Sequence, residues 1–178
     1  MRLRSLWFVL ALVVFETGCL DKVQSPWVGS DNFSVRVDYD ASPSSMIEAG
    51  KYVRVDSAGI EECLLLEKGS GTKKVTIKLV WYEGRPATFD DVIADLDSRG
   101  MRPATISELL ALVAQYPDAN ARYDLLALGS TGTSYGHPAV PIVWGGWQDK
   151  RRLTLWELYE DPLDGFAYLA VRKESAVR

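Results

Sequence analysis

Residues 85–116 read RPATFDDVIADLDSRGMRPATISELLALVAQY, and the fold turns on how this stretch is read. It spells two short helices in succession. Each begins with the same four residues, Arg-Pro-Ala-Thr, at 85–88 and again at 102–105. Thr88 stands three residues before Asp91, and Thr105 three before Glu108. At that spacing a hydroxyl and a carboxylate satisfy the free N–H groups of a helix start reciprocally. Apolar residues then recur at helical intervals: Phe89, Val92, Ile93 and Leu96 in the first, Ile106, Leu109, Leu110 and Val113 in the second. Gly100 can take the left-handed conformation that ends the first helix, and Pro117 stops the second. Past the shared four residues the copies diverge, so these are two helix starts solved alike and not an internal repeat.

Outward from this pair the chain reads mostly as strands. Residues 75–82 (VTIKLVWY) and 33–39 (FSVRVDY) alternate in the manner of half-buried strands. Ser42-Pro43 reads as a helix cap followed by proline at the first helical position, with Gly50 at the far end. Residues 52–55 suit a brief strand. The run CLLLE at 63–67 fits either a buried strand or the edge of a helix, and residues 68–72 a turn. After Pro117 come a short strand at 124–128, a Gly- and Ser-rich loop at 129–138, and a strand at 139–144. That strand is expected near a sheet edge, because Pro141 has no N–H to donate. Strands at 152–159 and 166–172 follow, separated by turns at 145–150 and 161–165. The order predicts an α+β domain with two short helices packed on an antiparallel sheet meander.

The chain has 178 residues, with 20 Lys and Arg against 24 Asp and Glu, net −4. Composition is that of one compact globular domain, and six Trp, eight Tyr and five Phe supply its core. No basic stripe interleaved with aromatics runs along the sequence, so no nucleic-acid partner is expected. Arg2 and Arg4 precede the apolar run LWFVLALVVF at 6–15, which is short of the about 20 residues that span a bilayer. It suits a secretory signal. Gly18-Cys19 follows, resembling a bacterial lipobox, although Glu16 stands where an apolar residue is usual. The expected organisation is a lipoprotein-type signal at 1–18, a tether at 19–32 and a single domain at 33–178. The membrane partner would be reached through lipid on Cys19. An uncleaved anchor, ordinary secretion, or a mis-assigned start on a cytoplasmic mobile-element protein are the alternatives. Cys63, the only other cysteine, reads as a buried structural thiol, and neither cysteine has metal-site spacing.

A family resemblance rests on three segments: TFDDVIA from Thr88, GMRPATISELL from Gly100, and GFAYLAVR ending at Arg172. These resemble the bacterial branch of the C-type-lectin-like fold over residues 75–173. A nearer likeness, carried by VDYDASPSSMIEAGKY, RGMRPATISELLAL, LLALGS and FAYLAVRK over residues 37–173, is to a family of uncharacterised bacterial proteins from small-genome lineages. The lectin resemblance implies a scaffold without its usual chemistries. The calcium-site signatures Glu-Pro-Asn, Gln-Pro-Asp and Trp-Asn-Asp are absent, and no cysteine lies beyond Cys63 for a formylglycine-type centre. In that fold, ligands meet the long loops before the last strands.

Those loops hold the candidate binding residues: Tyr135, His137, Trp144, Trp147 and Asp149. Trp147 sits in a Gly-Gly-Trp-Gln-Asp turn, hard to bury, and exposed loop aromatics often carry recognition. A protein or glycan partner fits this face. No catalytic residue, metal or cofactor is assigned. His137, the only histidine, could act as a general base, giving a hydrolase as the alternative to a binding or structural domain. Asp90, Asp91, Asp95 and Asp97 read as the solvated face of a helix, and Asp161 and Asp164 as turn formers.

Overall fold

The computed structural model describes residues 31–67, 69–83, 88–145, 151–159 and 165–173. The expected signal, Cys19 and nearly all of the tether lie outside them. So do Trp147, Asp149, Asp161 and Asp164, and the Arg-Pro-Ala of the first helix start.

In chain order the elements are β1 (Asn32–Asp38), α1 (Pro43–Ala49), β2 (Arg54–Val55), α2 (Ser57–Leu65), β3 (Thr72–Val80), α3 (Phe89–Ser98), β4 (Met101–Pro103), α4 (Ile106–Gln115), β5 (Asp124–Leu126), β6 (Gly132–Ser134), β7 (His137–Trp144), β8 (Arg152–Glu157) and β9 (Phe166–Arg172). The helix pair forms as expected. Thr88 Oγ1 accepts from the Asp91 N–H at 3.2 Å. Asp91, one methylene shorter than the usual Glu, takes the Thr88 hydroxyl proton at 2.9 Å. At α4 the longer Glu108 reaches back, and the Thr105 N–H donates to its Oε2 at 2.8 Å. Gly100 adopts φ 69° and closes α3. The ambiguous CLLLE is the end of a helix, with Leu66 as its C-cap: Ile60 and Cys63 fall on one buried side, while Leu65 and Leu66 face solvent.

The strands form one sheet in the order β1-β3-β9-β5-β7-β8-β2, with β4 added beside β9 and β6 beside β7. The expected antiparallel meander is corrected here. β9 runs parallel to β5, β2 runs parallel to β8, and the last strand lies between β3 and β5. Its sequence carries the reason: every residue of β9 from Phe166 to Val171 is buried, and a strand apolar on both sides belongs mid-sheet. β7 is corrected as well. It is not at an edge but lies between β5 and β8. Pro141 is tolerated because its carbonyl accepts from the Ala127 N–H at 3.0 Å, just past β5. Its nitrogen therefore faces a stretch where no paired strand requires a donor. The expected loop at 129–138 contains β6 and a two-residue turn, Tyr135 at φ 47° and Gly136 at φ 88°, both positive as a tight hairpin requires.

Each face of the sheet has its own core. On one, Val35, Val37, Ile77, Leu79, Leu169 and Val171 meet Ile106, Leu109, Leu110 and Val113 of α4 and Ile60 and Cys63 of α2. On the other, Val80, Tyr168, Ala170 and Ile142 meet Phe89, Val92 and Leu96 of α3. The two helices of the deciding stretch thus cover opposite faces. Burial, then the charge of Glu62, pushes the Cys63 thiol up to about 11, in keeping with an inert structural group.

One buried carboxylate ties these layers together. Glu108 is fully buried and accepts from the Thr105 N–H, from Arg102 Nη1 (2.9 Å) and Nη2 (2.6 Å), and from the Tyr39 hydroxyl (2.9 Å). Replacing Glu108→Ala removes one partner of a buried ion pair and strands an N-terminal N–H of α4. The expected loss is about 3 kcal/mol, because Arg102 can turn to solvent while the backbone donor cannot. A fall in the urea midpoint of unfolding at unchanged slope is the measurement.

Candidate functional site

Where β9 ends, the sheet opens. β3 pairs with β9 only from Ile77 to Val80, whereas β1 follows β3 from Thr72 to Lys78. Past Val171 the chain bends away, and the Lys173 N–H donates to the Gly100 carbonyl at 2.9 Å. A groove of about 1160 Å³ lies along the uncovered part of β3. Lys73, Lys74 and Lys78 enter it from β3, Arg99 and Arg102 from the α3–β4 segment, and Arg172 and Lys173 from the end of β9. These are seven of the chain's 20 basic residues, and among the described residues no Asp or Glu lines the groove.

Three carboxylates stand just behind the wall and hold cations in place. Asp95 accepts from Arg99 Nε and Nη2, Asp97 pairs with Lys173, and Glu108 grips Arg102. Hydrogen bonding to Glu108 keeps the Arg102 guanidinium firmly protonated. Lys73 lies 5.8 Å from the centroid of the Tyr39 ring. Burial, then the charge and hydrogen bond of Glu108, pushes the Tyr39 phenol far above its ordinary range. Lys78 is held below the usual lysine range, first by partial burial and then by repulsion from Arg99 and Arg172. Burial is the larger cause, and the neighbouring positive charges act in the same direction.

The groove edge also exposes backbone. The Leu79 N–H donates to the Asp31 carbonyl, and the Tyr39 N–H to the Gly71 carbonyl. These two bonds fix the parity of β3: odd-numbered residues bond toward β1. Lys74 and Thr76 therefore turn their N–H and C=O groups the other way, into the groove. The far edge of β1 is treated differently. Its Arg36 N–H donates to Gln115 Oε1 (3.0 Å), Gln115 Nε2 donates to the Arg36 carbonyl (2.8 Å), and the Tyr116 hydroxyl donates to the Ser34 carbonyl (3.0 Å).

The residues singled out in the sequence lie elsewhere. Tyr135 is 97% exposed at the tip of the β6–β7 turn. His137 is exposed beside it, its ring edge-on to Tyr159 at 5.0 Å. Ser134 donates its hydroxyl proton to Glu157 Oε1 at 2.9 Å, so that hydroxyl is committed to a carboxylate. Trp144 is half-buried on the α3 side of the sheet, its ring 5.6 Å from that of Trp156, and among the described residues neither buried indole N–H has a partner. Tyr135 and His137 share the hairpin tip, while Trp144 lies at the far end of β7. Among the described residues no cluster of three or more His, Cys, Asp or Glu could hold a metal ion. Sequence reading missed the groove because its cations come from three separated segments, each mixed with other residue types. The closest signal was the alternation Lys74, Thr76, Lys78 on the polar side of β3.

No family model, curated protein or solved structure matches the chain. The reading of the site therefore rests on its geometry.

Lys78 releases its proton at lower pH in the folded chain than in the unfolded one, so between those two values stability rises with pH. Removing one repelling neighbour with Arg172→Gln should move the Lys78 titration to higher pH and shrink that alkaline rise. Following the Lys78 side chain by NMR checks it, and an unmoved midpoint would leave burial and Arg99 as the causes.

Proposed function

We propose that this chain is a non-enzymatic binding domain of C-type-lectin-like fold, exported and anchored by lipid on Cys19, that takes an anionic ligand in the basic groove. One observation carries the reading. In a chain of net charge −4, seven cations from three segments converge on a single groove that, among the described residues, is lined by no acid. A positive cleft in an otherwise acidic surface focuses the field and raises the local concentration of anions. Three of the cations are fixed from behind by carboxylates, which suits a preformed site better than a loose solvated surface. The lectin likeness is supported by the helix pair and by the last strand returning beside β3, with Ile77 opposite Val171. The commitment of Ser134 to Glu157 weighs against a hydrolase built on His137. A second reading keeps the hairpin tip as a contact for a protein or glycan partner, and the near-complete exposure of Tyr135 favours it.

Retention on a heparin matrix separates the two surfaces. The wild-type chain should be held at low salt in spite of its net negative charge, and should elute as salt rises. The triple variant Lys74→Glu, Lys78→Glu, Arg172→Glu should flow through, and Tyr135→Ala should elute with the wild type. Flow-through of the wild type would overturn the groove as an anion site, and loss of retention in Tyr135→Ala alone would move the contact to the hairpin tip. For the address, metabolic labelling with a fatty acid should mark the wild-type chain and leave Cys19→Ser unlabelled.

A further inference from the structure

The groove combines two features that are independent of each other: dense positive charge and a length of unpaired strand edge. We propose that its occupant is an extended acidic polypeptide segment that adds to β3 as a further strand, bonding to the outward N–H and C=O groups of Lys74 and Thr76. This rests on the groove being an anion site, and narrows the ligand to one class of macromolecule.

Strand addition needs a free edge, an approach and side-chain selection. The edge is the stretch from Thr72 to Thr76, which has β1 on one side and, among the described residues, no strand on the other. The approach is the groove itself, open along that edge. Selection follows from the strand's alternation. Lys74, Thr76 and Lys78 project to one face of the sheet, where Arg99 and Arg172 act on Lys78. Lys74 and Lys78 stand roughly 13 Å apart along the strand. Acidic side chains at alternate positions of an added strand would all lie on that face, opposite the cations.

Lysines on an exposed edge can also serve to keep other strands away. That role accounts for Lys73, Lys74 and Lys78. It does not account for Arg99, Arg102, Arg172 and Lys173, which reach the same groove from its other wall and add nothing to the protection of β3. The β1 edge shows how this chain closes an edge it does not use. Gln115 and Tyr116 satisfy its backbone groups directly, while among the described residues no side chain does so for Lys74 and Thr76.

The test uses the domain with a fluorescent peptide of alternating Glu and Thr. Two further versions are N-methylated on every Glu nitrogen or on every Thr nitrogen, with inorganic polyphosphate as the non-peptide anion. An added strand bonds through one of its edges only. One methylated peptide should therefore lose at least tenfold in affinity while the other binds like the parent. The backbone N–H groups of Lys74 and Thr76 should exchange with solvent at least tenfold more slowly when the parent peptide is bound, and polyphosphate should leave them unchanged. Methylated peptides that behave alike, or a bound peptide that leaves those two amides unprotected, would overturn strand addition while the groove stayed an anion site. If neither peptide nor polyphosphate binds, the groove reading fails with it, and the lysines are edge protection alone.

Discussion

The buried carboxylate of Glu108 is the constraint on which the rest is built. Burying a carboxylate is costly unless its oxygens are fully hydrogen-bonded and a cation stands against it. Here the partners come from three places in the chain: the end of β1 through Tyr39, β4 through Arg102, and the first turn of α4 through the Thr105 N–H. Meeting those demands together sets where α4 enters the core and where β4 lies beside β9. It also places the Arg102 guanidinium at the groove wall. The charge that stabilises the interior and the charge that faces a ligand belong to one ion pair.

The same economy runs along the groove. Asp95 and Asp97 sit in the last turn of α3, where an acid opposes the helix dipole. Their use is to hold Arg99 and Lys173 from behind. Exposed pairs of this kind contribute little to stability, at most about 1 kcal/mol each. What they supply is position, by restricting long side chains that would otherwise sample solvent. Asp95 also accepts from the Tyr82 hydroxyl at 2.8 Å, which ties the wall to the aromatic core under α3.

The sequence made local structure legible wherever one physical demand dominated. The unbroken apolar run of β9 marked its bounds at Phe166 and Arg172, and the Arg-Pro-Ala-Thr starts marked α3 and α4. It failed where two demands agreed locally and differed globally. CLLLE satisfies a buried strand as well as α2, and only the three-residue spacing of Ile60 and Cys63 separates them. Pro141 does mark a missing donor, but the structure meets that by ending β5 early, which no local pattern records. The groove was the least legible feature. Its seven cations are spread over residues 73–173, and only the insertion of β9 between β3 and β5 brings them to one place. Tyr135, by contrast, was readable as a loop residue from the Gly, Ser and Thr around it, although the tight hairpin turn that exposes its ring was not.

The central position of β9 also bears on the life of the chain before it is folded. The strand that joins the β1–β3 half of the sheet to the β5–β7–β8–β2 half comes after both of them in the chain. Until residues 166–172 emerge, the two halves share no strand pairing among the described residues, and each core lacks the residues that β9 supplies to it.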